Sequence, residues 1–492
     1  MHDLLFCDAR LIDGSGSPAR LADVAVDGGR IAAIRDAAGP DRRPAARRTV
    51  ACEGLALAPG FIDAHTHDDA LMLEPAPLHQ AHPKLSQGVT TVVVGNCGIS
   101  LAPLDASARR DLPAPLNVLE RQAFRFSSVG EYLSAFAAQP PVCNVVTLLG
   151  HTSLRVKHVP DLDQAATASQ SAAMADDLAA ALRQGAWGLS TGVFYPPARA
   201  ATTEELITVA RPLGPAGAVL TMHIRDDTAH IDAALQEAFE VGRGAGAPLV
   251  ISHHKLSGQA NHGRSPQTLA LIEAASRQQE VCLDCYPYDA ASTMLLPERV
   301  HLSREVLITW SSAEPAAAGR SLFQMARERG LTPQALAEQL MPAGVVNFSM
   351  DEADVRRIMQ HPLAMIGSDG LPHDPHPHPR LWGSFPRVLG RYARNQGLFP
   401  LETAVRKMTA WTAARFGLDR ATPQRAARGQ IQPGWAADLV LFDPDQVLDN
   451  ASYESPLQPS SGITAVYVGG ELAAEHGTTV HAHAGRALRR VG

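Results

Sequence analysis

Two histidines stand two positions apart at the end of a short apolar segment. The segment reads Phe61-Ile-Asp-Ala-His-Thr-His67, so the pair is His65 and His67. Side chains at positions i and i+2 of a β-strand lie on the same face, and the two imidazoles can therefore reach one metal ion. Imidazole suits zinc, and a catalytic zinc site keeps one coordination position open for water. The pair predicts part of a catalytic zinc site.

Further candidate ligands end other apolar segments of the chain. These are Cys97, His223 and His253, and the acidic residue Asp369 ends one more such segment. A structural zinc is closed by four ligands, whereas five candidates fit two adjacent metal positions that share the Cys97 thiolate. The Asp369 carboxylate is suited to accept a proton from a metal-bound water and to deliver it later to a leaving group.

His254 offers an alternative ligand to its neighbour His253. Side chains alternate along a strand, so only one of the two can face the site. We expect His253 to be the ligand because it directly ends the apolar segment of residues 248–253.

Eight short apolar or β-branched strands, which alternate with helical segments, must position these residues. Near-continuous apolar runs are typical of parallel strands buried on both faces. Helix starts are readable between them, as at the capping residue Thr202 and at Ser265, which a proline follows. The pattern predicts an α/β fold, a (β/α)8 TIM barrel with the candidate ligands at its catalytic C-terminal face. The predicted strands cover residues 58–65, 88–97, 144–151, 185–192, 218–223, 248–253, 281–286 and 364–369.

The segments outside the barrel predict a second, smaller domain. Both ends of the chain contain strand-like segments around glycine turns. We therefore expect residues 1–56 and 426–492 to form one small β-sandwich-like domain beside a barrel of residues 57–425. Residues 288–346 separate the seventh and eighth strands by more than a usual connection. We expect this insert to supply a binding element or lid at the catalytic face.

The composition argues against several functional classes. The 492-residue chain is 45% hydrophobic with a formal net charge of −7, and no basic block favours nucleic acid or an anionic membrane surface as a partner. No apolar run approaches the roughly 20 residues that span a bilayer, and the start lacks a signal-peptide pattern, so we expect a cytoplasmic protein. Six cysteines do not make a disulfide scaffold in so long a chain. Cys282 and Cys285 spell CxxC, but they face opposite sides of an expected strand.

Five motifs of the chain resemble the amidohydrolase superfamily, and within it the D-aminoacylase (N-acyl-D-amino-acid deacylase) family. They are FIDAHTHDD, GVTTVVVGNCGIS, TMHIRDD, VISHHK and MIGSDGLPHD, and the tail segment PGWAADLVLFD is similar to the superfamily's terminal β domain. The cysteine in GNCGIS is the specific signal, because hydantoinases and dihydroorotases typically bridge their metals with a carboxylated lysine on strand four. Residues 185–192, the predicted fourth strand, contain no lysine, which argues against a cyclic amidase.

The resemblance implies a zinc-dependent hydrolase that cuts the linear amide of N-acyl-D-amino acids. The products would be a carboxylate and a free D-amino acid, and zinc-bound water activated by Asp369 would attack the acyl carbon. The preference for D substrates rests on the resemblance alone. The implied ligands are Cys97, His223 and His253 for a tightly held zinc, and His65 and His67 with Cys97 for a second, weaker position.

Four more residues match positions that the family uses for its substrate. Lys255, Tyr286 and Arg380 would hold the α-carboxylate, and Tyr195 would help to polarise the scissile carbonyl. Arginine suits a carboxylate because its planar fork can bind both oxygens. We expect a preference for neutral, mainly hydrophobic D-amino acids, with acidic ones as the alternative.

Other interpretations remain at this point. The chain could instead be a cyclic amidase or another amidohydrolase, or a non-catalytic barrel, although the last predicts a missing ligand or base and none is missing. Three more histidines, His373, His376 and His378, stand in a proline-rich loop. Proline prevents regular structure there, so we expect them to shape the rim of the pocket rather than to bind metal. The sequence does not predict an oligomeric state.

Overall fold

The chain begins with five strands of one sheet. They are β1 (His2–Leu11), β2 (Arg20–Asp27), β3 (Arg30–Asp36), β4 (Ala46–Ala51) and β5 (Ala56–Pro59). The structure is a computed structural model, and it describes residues 1–37, 39, 43–106, 112–116 and 121–491. Leu4 and Phe6 of β1 pack into one hydrophobic cluster, and Leu5 and Cys7 pack into another. This alternation is expected of a strand, and it buries β1 on both faces.

Eight parallel strands form the barrel that the sequence predicts. Their order in the sheet is their order along the chain. The last and first strands meet through a hydrogen bond from the Ala64 N–H to the Ile366 carbonyl (3.4 Å) and a bridge between Thr66 and Gly370. The strands are β6 (Phe61–Asp63), β7 (Val89–Val94), β8 (Asn144–Gly150), β9 (Gly188–Gly192), β10 (Val219–His223), β11 (Leu249–Ile251), β12 (Val281–Cys285) and, after an insertion with three strands, β16 (Ala364–Ile366).

Helices connect the barrel strands and begin where the sequence signals them. The Thr202 hydroxyl accepts a hydrogen bond from the Glu205 N–H at the start of α5, and α8 has a proline in its first turn. A π-helix, Val388–Asn395, separates α12 from α13. The α-helices are α1 (Val129–Ala138), α2 (His151–His158), α3 (Ala168–Gln184), α4 (Pro196–Arg199), α5 (Thr203–Ala210), α6 (Leu213–Ala216), α7 (Ile231–Ala245), α8 (Ser265–Ser276), α9 (Leu322–Arg329), α10 (Pro333–Leu340), α11 (Glu352–Gln360), α12 (Arg380–Arg387), α13 (Leu401–Met408) and α14 (Ala410–Phe416).

The first predicted strand, residues 58–65, is divided between two sheets. β5 ends at Pro59 in the terminal sheet, and β6 begins at Phe61 in the barrel. Gly60 lies between them, and a Cβ atom there would be only 2.3 Å from the Thr90 side chain of β7. Glycine therefore lets the chain pass close to the barrel as it changes sheets. The sequence did not reveal this division because the apolar run continues across it.

The insert between β12 and β16 is a small α/β unit with its own core. Its strands are β13 (Ala291–Met294), β14 (Val306–Ser311) and β15 (Ala343–Asn347), and β15 pairs with both neighbours in antiparallel fashion. Leu322 of α9 and Leu336 of α10 pack with Val345 in one buried cluster. Thr293 of β13 hydrogen-bonds with Tyr195 (3.1 Å), which follows barrel strand β9. The insert therefore reaches the C-terminal face of the barrel.

The C-terminal part of the chain returns to the first sheet. Its strands are β17 (Leu439–Phe442), β18 (Ile463–Val468), β19 (Glu471–Glu475) and β20 (Thr478–Thr479), and β17 pairs with β5. The sheet order is β20-β19-β18-β17-β5-β1-β2-β3, with β4 beside β1. The predicted fold, a barrel with a β domain built from both termini, is confirmed. The division at residues 56/57 and 425/426 stays a prediction. Among the described residues, none of the helices has the length and apolar character needed to cross a membrane.

Candidate active site

The C-terminal rim of the barrel brings the predicted ligands together around Cys97. The Cys97 Sγ is 3.2 Å from His65 Nε2 and 3.3 Å from His253 Nε2. Two groups of side chains could each hold a metal ion, and both include this thiol. Within each group, the ligand atoms all lie within 4.8 Å of one another. One group is His65, His67, Cys97 and Asp369, and the other is Cys97, His223 and His253. The geometry thus offers two adjacent metal positions that share one sulfur.

Three of these residues have strained backbone conformations. Cys97, His253 and Asp369 have φ angles of +53°, +35° and +50°, in the left-handed region that favours glycine. Each such residue costs on the order of 1–3 kcal/mol and persists only where its surroundings fix it. The His253 N–H donates to Asp284 Oδ1 (2.8 Å), and the Asp369 N–H donates to the His65 carbonyl (2.8 Å). These bonds fix the backbone that directs the side chains into the site.

The structure places His253, and not His254, beside Cys97. The His254 ring points the other way, where its Nε2 hydrogen-bonds with Thr268 Oγ1 (2.9 Å) on α8. Burial, reinforced by the Lys255 charge, lowers the pKa of each of the two imidazoles to about 3. His253 is therefore neutral, as a metal-binding imidazole must be.

Two anionic groups lie at the centre of the site. Burial by itself would raise the pKa of the Cys97 thiol, but the charge of the His65 imidazole and hydrogen bonds from His223 and His253 hold that pKa well below its usual range. Burial also opposes protonation of His67, yet Asp369 and Cys97 raise the pKa of its imidazole to about 9. A thiolate and a carboxylate at this point favour a positive charge beside them.

The donor set fits a zinc ion. Zinc binds thiolate, imidazole and carboxylate ligands, and all three are present in the two groups around Cys97. The buried Nδ1 of His223 has no hydrogen-bond partner within the part of the chain that the structure describes. Buried polar atoms are usually hydrogen-bonded, so this nitrogen has unused bonding capacity, as has the Nδ1 of His65.

Asp369 lies between the metal ligands and a buried arginine. Its Oδ1 is 3.2 Å from His67 Nε2, and its Oδ2 is 2.9 Å from Arg380 Nη1. Burial favours the neutral acid, but the charge of Arg380 and the hydrogen bond from His67 hold the pKa of Asp369 well below its usual range. The carboxylate is thus ionised, with one oxygen directed at the ligands and the other held by arginine.

A cavity opens beside the ligands and contains most of the predicted substrate-binding residues. Lys255 Nζ is 3.1 Å from His253 Nδ1 and 3.7 Å from Asp227 Oδ2. The Tyr195 hydroxyl stays protonated because burial raises its pKa. Six predicted site residues line this cavity, namely Tyr195, His223, His253, Lys255, Tyr286 and Asp369, together with Phe194, Asp227, Met294, Leu296 and Arg299.

Arg380 lies in a different place from Lys255 and Tyr286, the other two residues that are predicted to hold the substrate's α-carboxylate. It is only 1% exposed, it donates to the Ser292 carbonyl (3.1 Å), and its guanidinium lies 4.6 Å from the centre of the Tyr286 ring. Its contact with Asp369 suits it to keep that carboxylate ionised. A direct contact with the substrate's carboxylate stays a prediction.

A buried lysine joins the two strands that close the barrel. Lys84 Nζ is 2.9 Å from Asp63 Oδ2 and 2.9 Å from Ser368 Oγ, and it is 3.2 Å from Asp68 Oδ2. Asp63 ends β6 just before His65, and Ser368 follows β16 just before Asp369. The lysine therefore fixes His65 and His67, the candidate metal ligands that follow β6, relative to the candidate base.

Sequence reasoning missed several of these supporting residues. Asp284 interrupts the apolar run of β12, and that isolated charge was a readable signal. Asp227 stands in the motif TMHIRDD only four residues after His223. Arg299, which pairs with Asp227 at 2.6 Å, lies in the insert and gave no signal. Lys84 gave none either, because its partners are distant in sequence.

The histidines of the proline-rich loop lie outside the Cys97 groups and make other contacts. His376 Nε2 hydrogen-bonds with the Tyr453 carbonyl (2.7 Å), and His378 Nε2 hydrogen-bonds with the Ala290 carbonyl (3.0 Å). His373 borders a separate small cavity beside Glu74. These contacts join the loop to the insert and to the C-terminal region.

The sequence and the fold were compared with those of known proteins. The model of the amidohydrolase family matches residues 48–280 and 314–474. This chain belongs to the amidohydrolase family. It is 52% identical to a D-aminoacylase of Alcaligenes xylosoxydans xylosoxydans over 99% of this chain and 98% of that protein. It is 50% identical to an N-acyl-D-aspartate deacylase of the same organism, with 95% and 91% of the two chains covered.

A solved structure within the same family also matches along the whole chain. It is the N-acyl-D-glutamate deacylase of Bordetella bronchiseptica, complexed with zinc and a phosphonate inhibitor that mimics the tetrahedral intermediate. The two chains are 43% identical, with a TM-score of 0.92, and the match covers 99% of this amidohydrolase and 100% of the other chain. The predicted resemblance to the D-aminoacylases is thereby confirmed.

Proposed function

We propose that this amidohydrolase hydrolyses the linear amide of N-acyl-D-amino acids to a carboxylate and a free D-amino acid. The observation that carries the proposal is the pair of metal positions around Cys97, with ionised Asp369 beside them, at the edge of a cavity that contains Lys255 and Tyr286. The relatives at about half identity are named as deacylases of N-acyl-D-amino acids or as D-aminoacylases.

We infer that zinc binds at the Cys97 cluster, tightly to Cys97, His223 and His253. His65 and His67 would hold a second, weaker ion together with the same sulfur. A zinc ion bound there would polarise the acyl carbonyl and increase the acidity of a water molecule. Support comes from the donor set and from a relative of known structure that contains zinc.

Asp369 transfers the proton in the proposed reaction. The oxygen that faces the ligands takes a proton from the attacking water, and the same carboxyl group then gives it to the departing amine. Arg380 holds the other oxygen and keeps the group ionised before the attack. The Tyr195 hydroxyl borders the same cavity as a neutral donor, and it can donate a hydrogen bond to the acyl oxygen as negative charge develops there.

Charge in the cavity favours a substrate with a single carboxylate. Lys255 and Arg299 are cationic, and Asp227 lies between them at 3.7 Å and 2.6 Å. These three groups sum to one positive charge, which an α-carboxylate balances. Phe194 and Leu296 offer apolar contacts in the same cavity. We therefore propose neutral, mainly hydrophobic D-amino acids as the preferred products.

A substrate panel on the zinc-loaded enzyme tests this proposal. N-acetyl-D-methionine should be cleaved to acetate and D-methionine, and its L enantiomer should not. Ring opening of hydantoin or dihydroorotate without cleavage of the linear amide would contradict the proposal and support a cyclic amidase. Faster turnover of N-acetyl-D-aspartate or N-acetyl-D-glutamate would overturn only the side-chain preference.

A further inference from the structure

A cleft lies at the end of the barrel opposite to the candidate active site. The C-terminal segment forms one wall, where Leu488 N–H donates to the Val145 carbonyl at the start of β8 (2.8 Å). The turn between β2 and β3 and the turn between β18 and β19 form the facing walls. The volume is about 900 Å³, which is within the range of small-molecule sites.

Arginine dominates the lining of this cleft. Among the described residues, only two acidic side chains line it, Asp3 and Glu471, although the chain as a whole has more acidic than basic residues. Separate segments of the sequence contribute the arginines, so no basic block is visible along the chain. The lining arginines are Arg30, Arg47, Arg48, Arg425, Arg428, Arg486 and Arg489.

Most of these arginines have no carboxylate partner within the described part of the chain. Arg47 pairs with Asp3 (3.3 Å), and Arg428 pairs with Asp438 (2.7 Å). The other five arginines form no ion pair with a carboxylate of the described residues. They are Arg30, Arg48, Arg425, Arg486 and Arg489. Fixed guanidinium groups around a cleft attract anions, and they do so more strongly where the walls exclude water.

Arg425 is held rigidly in the wall of the cleft. It is 8% exposed, and it donates to the carbonyls of Gly417 and Leu418 (3.2 Å each). Its guanidinium lies 4.8 Å from the centre of the Trp187 ring, and its Nε has no hydrogen-bond partner among the described residues. Burial and the neighbouring Arg428 lower the pKa of Arg425 to about 10. An anion in the cleft would relieve this unbalanced buried charge.

We propose that this cleft binds a small molecule with several phosphate charges, such as a polyphosphate or a nucleoside triphosphate. Guanidinium groups match phosphate oxygens with paired, charge-assisted hydrogen bonds. A single carboxylate would balance one charge and leave four of these five arginines without an anionic partner. The size of the cleft suits a small molecule more than a polymer. This site is independent of the proposed deacylase reaction.

Calorimetric titration of the full-length, zinc-loaded protein tests the proposal. We expect saturable binding of inorganic triphosphate and of ATP, both without magnesium, at a fixed ionic strength of about 0.15 M. Binding should weaken as salt increases, because the contacts are ionic. A nucleoside contribution would appear as tighter binding of ATP than of inorganic triphosphate.

Two exposed arginines provide the decisive variant. Arg48→Glu combined with Arg486→Glu reverses two charges of the cleft, and both side chains are exposed, so the fold should tolerate the change. We expect affinity for inorganic triphosphate to fall about tenfold or more, on the scale of charge-assisted hydrogen bonds. The matched control, Arg211→Glu with Arg356→Glu, reverses two exposed charges elsewhere and should change affinity by less than about twofold, as expected of distant sites.

Three outcomes would overturn the proposal. These are no saturable binding by the unchanged protein, equal losses in the two double variants, and binding of a single-stranded oligonucleotide that triphosphate does not displace. Deacylase activity should be the same in all these proteins. A failure of the proposed deacylase function would therefore leave the result of the binding test unaffected.

Discussion

Two buried charge clusters of this amidohydrolase contain similar residues in very different arrangements. One is the candidate active site around Cys97. The other joins α2 to α5, where Glu205 accepts hydrogen bonds from Arg155 Nη1 (2.5 and 2.6 Å), His151 Nε2 (3.1 Å) and the Ala166 N–H (2.9 Å). Both oxygens of that carboxylate are thus occupied by fixed donors. The cluster has the features expected of a structural ion pair.

The active-site cluster differs from it in its backbone. Cys97, His253 and Asp369 have left-handed backbone conformations. In the other cluster, Arg155 and Glu205 belong to regular helices. The comparison teaches that residue types alone do not distinguish a site from a structural ion pair. The strain of the backbone distinguishes the two clusters.

The largest effect on turnover is expected from the shared thiolate. Cys97→Ala should remove most bound zinc and nearly all activity, because a charged, soft ligand is lost from both positions. Elemental analysis and the deacylase assay measure the two losses. Cys285→Ala is the matched control, since that buried thiol contacts the Met365 carbonyl and should be replaceable without loss of zinc. Full zinc and normal turnover in Cys97→Ala would refute the assignment.

Asp369→Asn separates proton transfer from metal binding. The variant should keep its zinc and its fold, while kcat falls by about 10² or more, the usual effect of losing a positioned general base. Measurements of kcat and of zinc content on the same preparation provide the test. Loss of the metal would instead show that Asp369 acts first as a ligand.

Arg380→Ala tests whether the buried arginine binds the α-carboxylate of the substrate or acts only on the Asp369 carboxylate. If it holds the substrate, kcat/KM for an N-acyl-D-amino acid should fall roughly 10- to 150-fold, since a charge-assisted hydrogen bond contributes about 1.5–3 kcal/mol. The matching N-acyl-D-amino amide, which lacks the carboxylate, should be affected far less. Equal losses for the acid and the amide would show that Arg380 acts through Asp369.

The structural cluster should respond to pH and leave turnover unchanged. Burial opposes ionisation of Glu205, but His151 and Arg155 lower its pKa from 4.5 to about 2. The ionised carboxylate therefore stabilises the fold fully above pH 4.5, and this contribution is lost as the pH falls toward 2. Denaturant titrations should show a steeper loss of stability over this window in the unchanged protein than in Glu205→Gln. A lower kcat of the folded variant at neutral pH would contradict the structural role.

Much of the fold and the site was predictable because the informative residues end strands. In a parallel barrel, the end of every strand reaches the same rim, so His65, Cys97, His223 and Asp369 had to approach one another. His253 was chosen over His254 because it directly ends the apolar segment, and in the structure the His253 ring lies beside Cys97 while the His254 ring contacts Thr268.

Contacts that cross between loops were not predictable in the same way. Arg380 reaches Asp369 from a helix start that follows an irregular segment, and Lys84 meets Asp63 and Ser368 only when the barrel closes. The division at Gly60 was hidden because both sides of it are apolar. Neither the spacing nor the periodicity of residues predicts such contacts, because these contacts depend on how irregular segments pack.

The pairing of β5 with β17 has a consequence for how the protein is made. From Pro59 to Leu439 the chain runs for 380 residues, and the two ends of that stretch pair side by side in one sheet. A ribosome that adds about 5–20 residues per second needs roughly 20–75 s to make this stretch. Until then β5 exposes an unpaired edge to which a neighbouring nascent chain can add. The edge of β5 thus stays without its partner strand for as long as the synthesis of this stretch lasts, and slower translation lengthens that period.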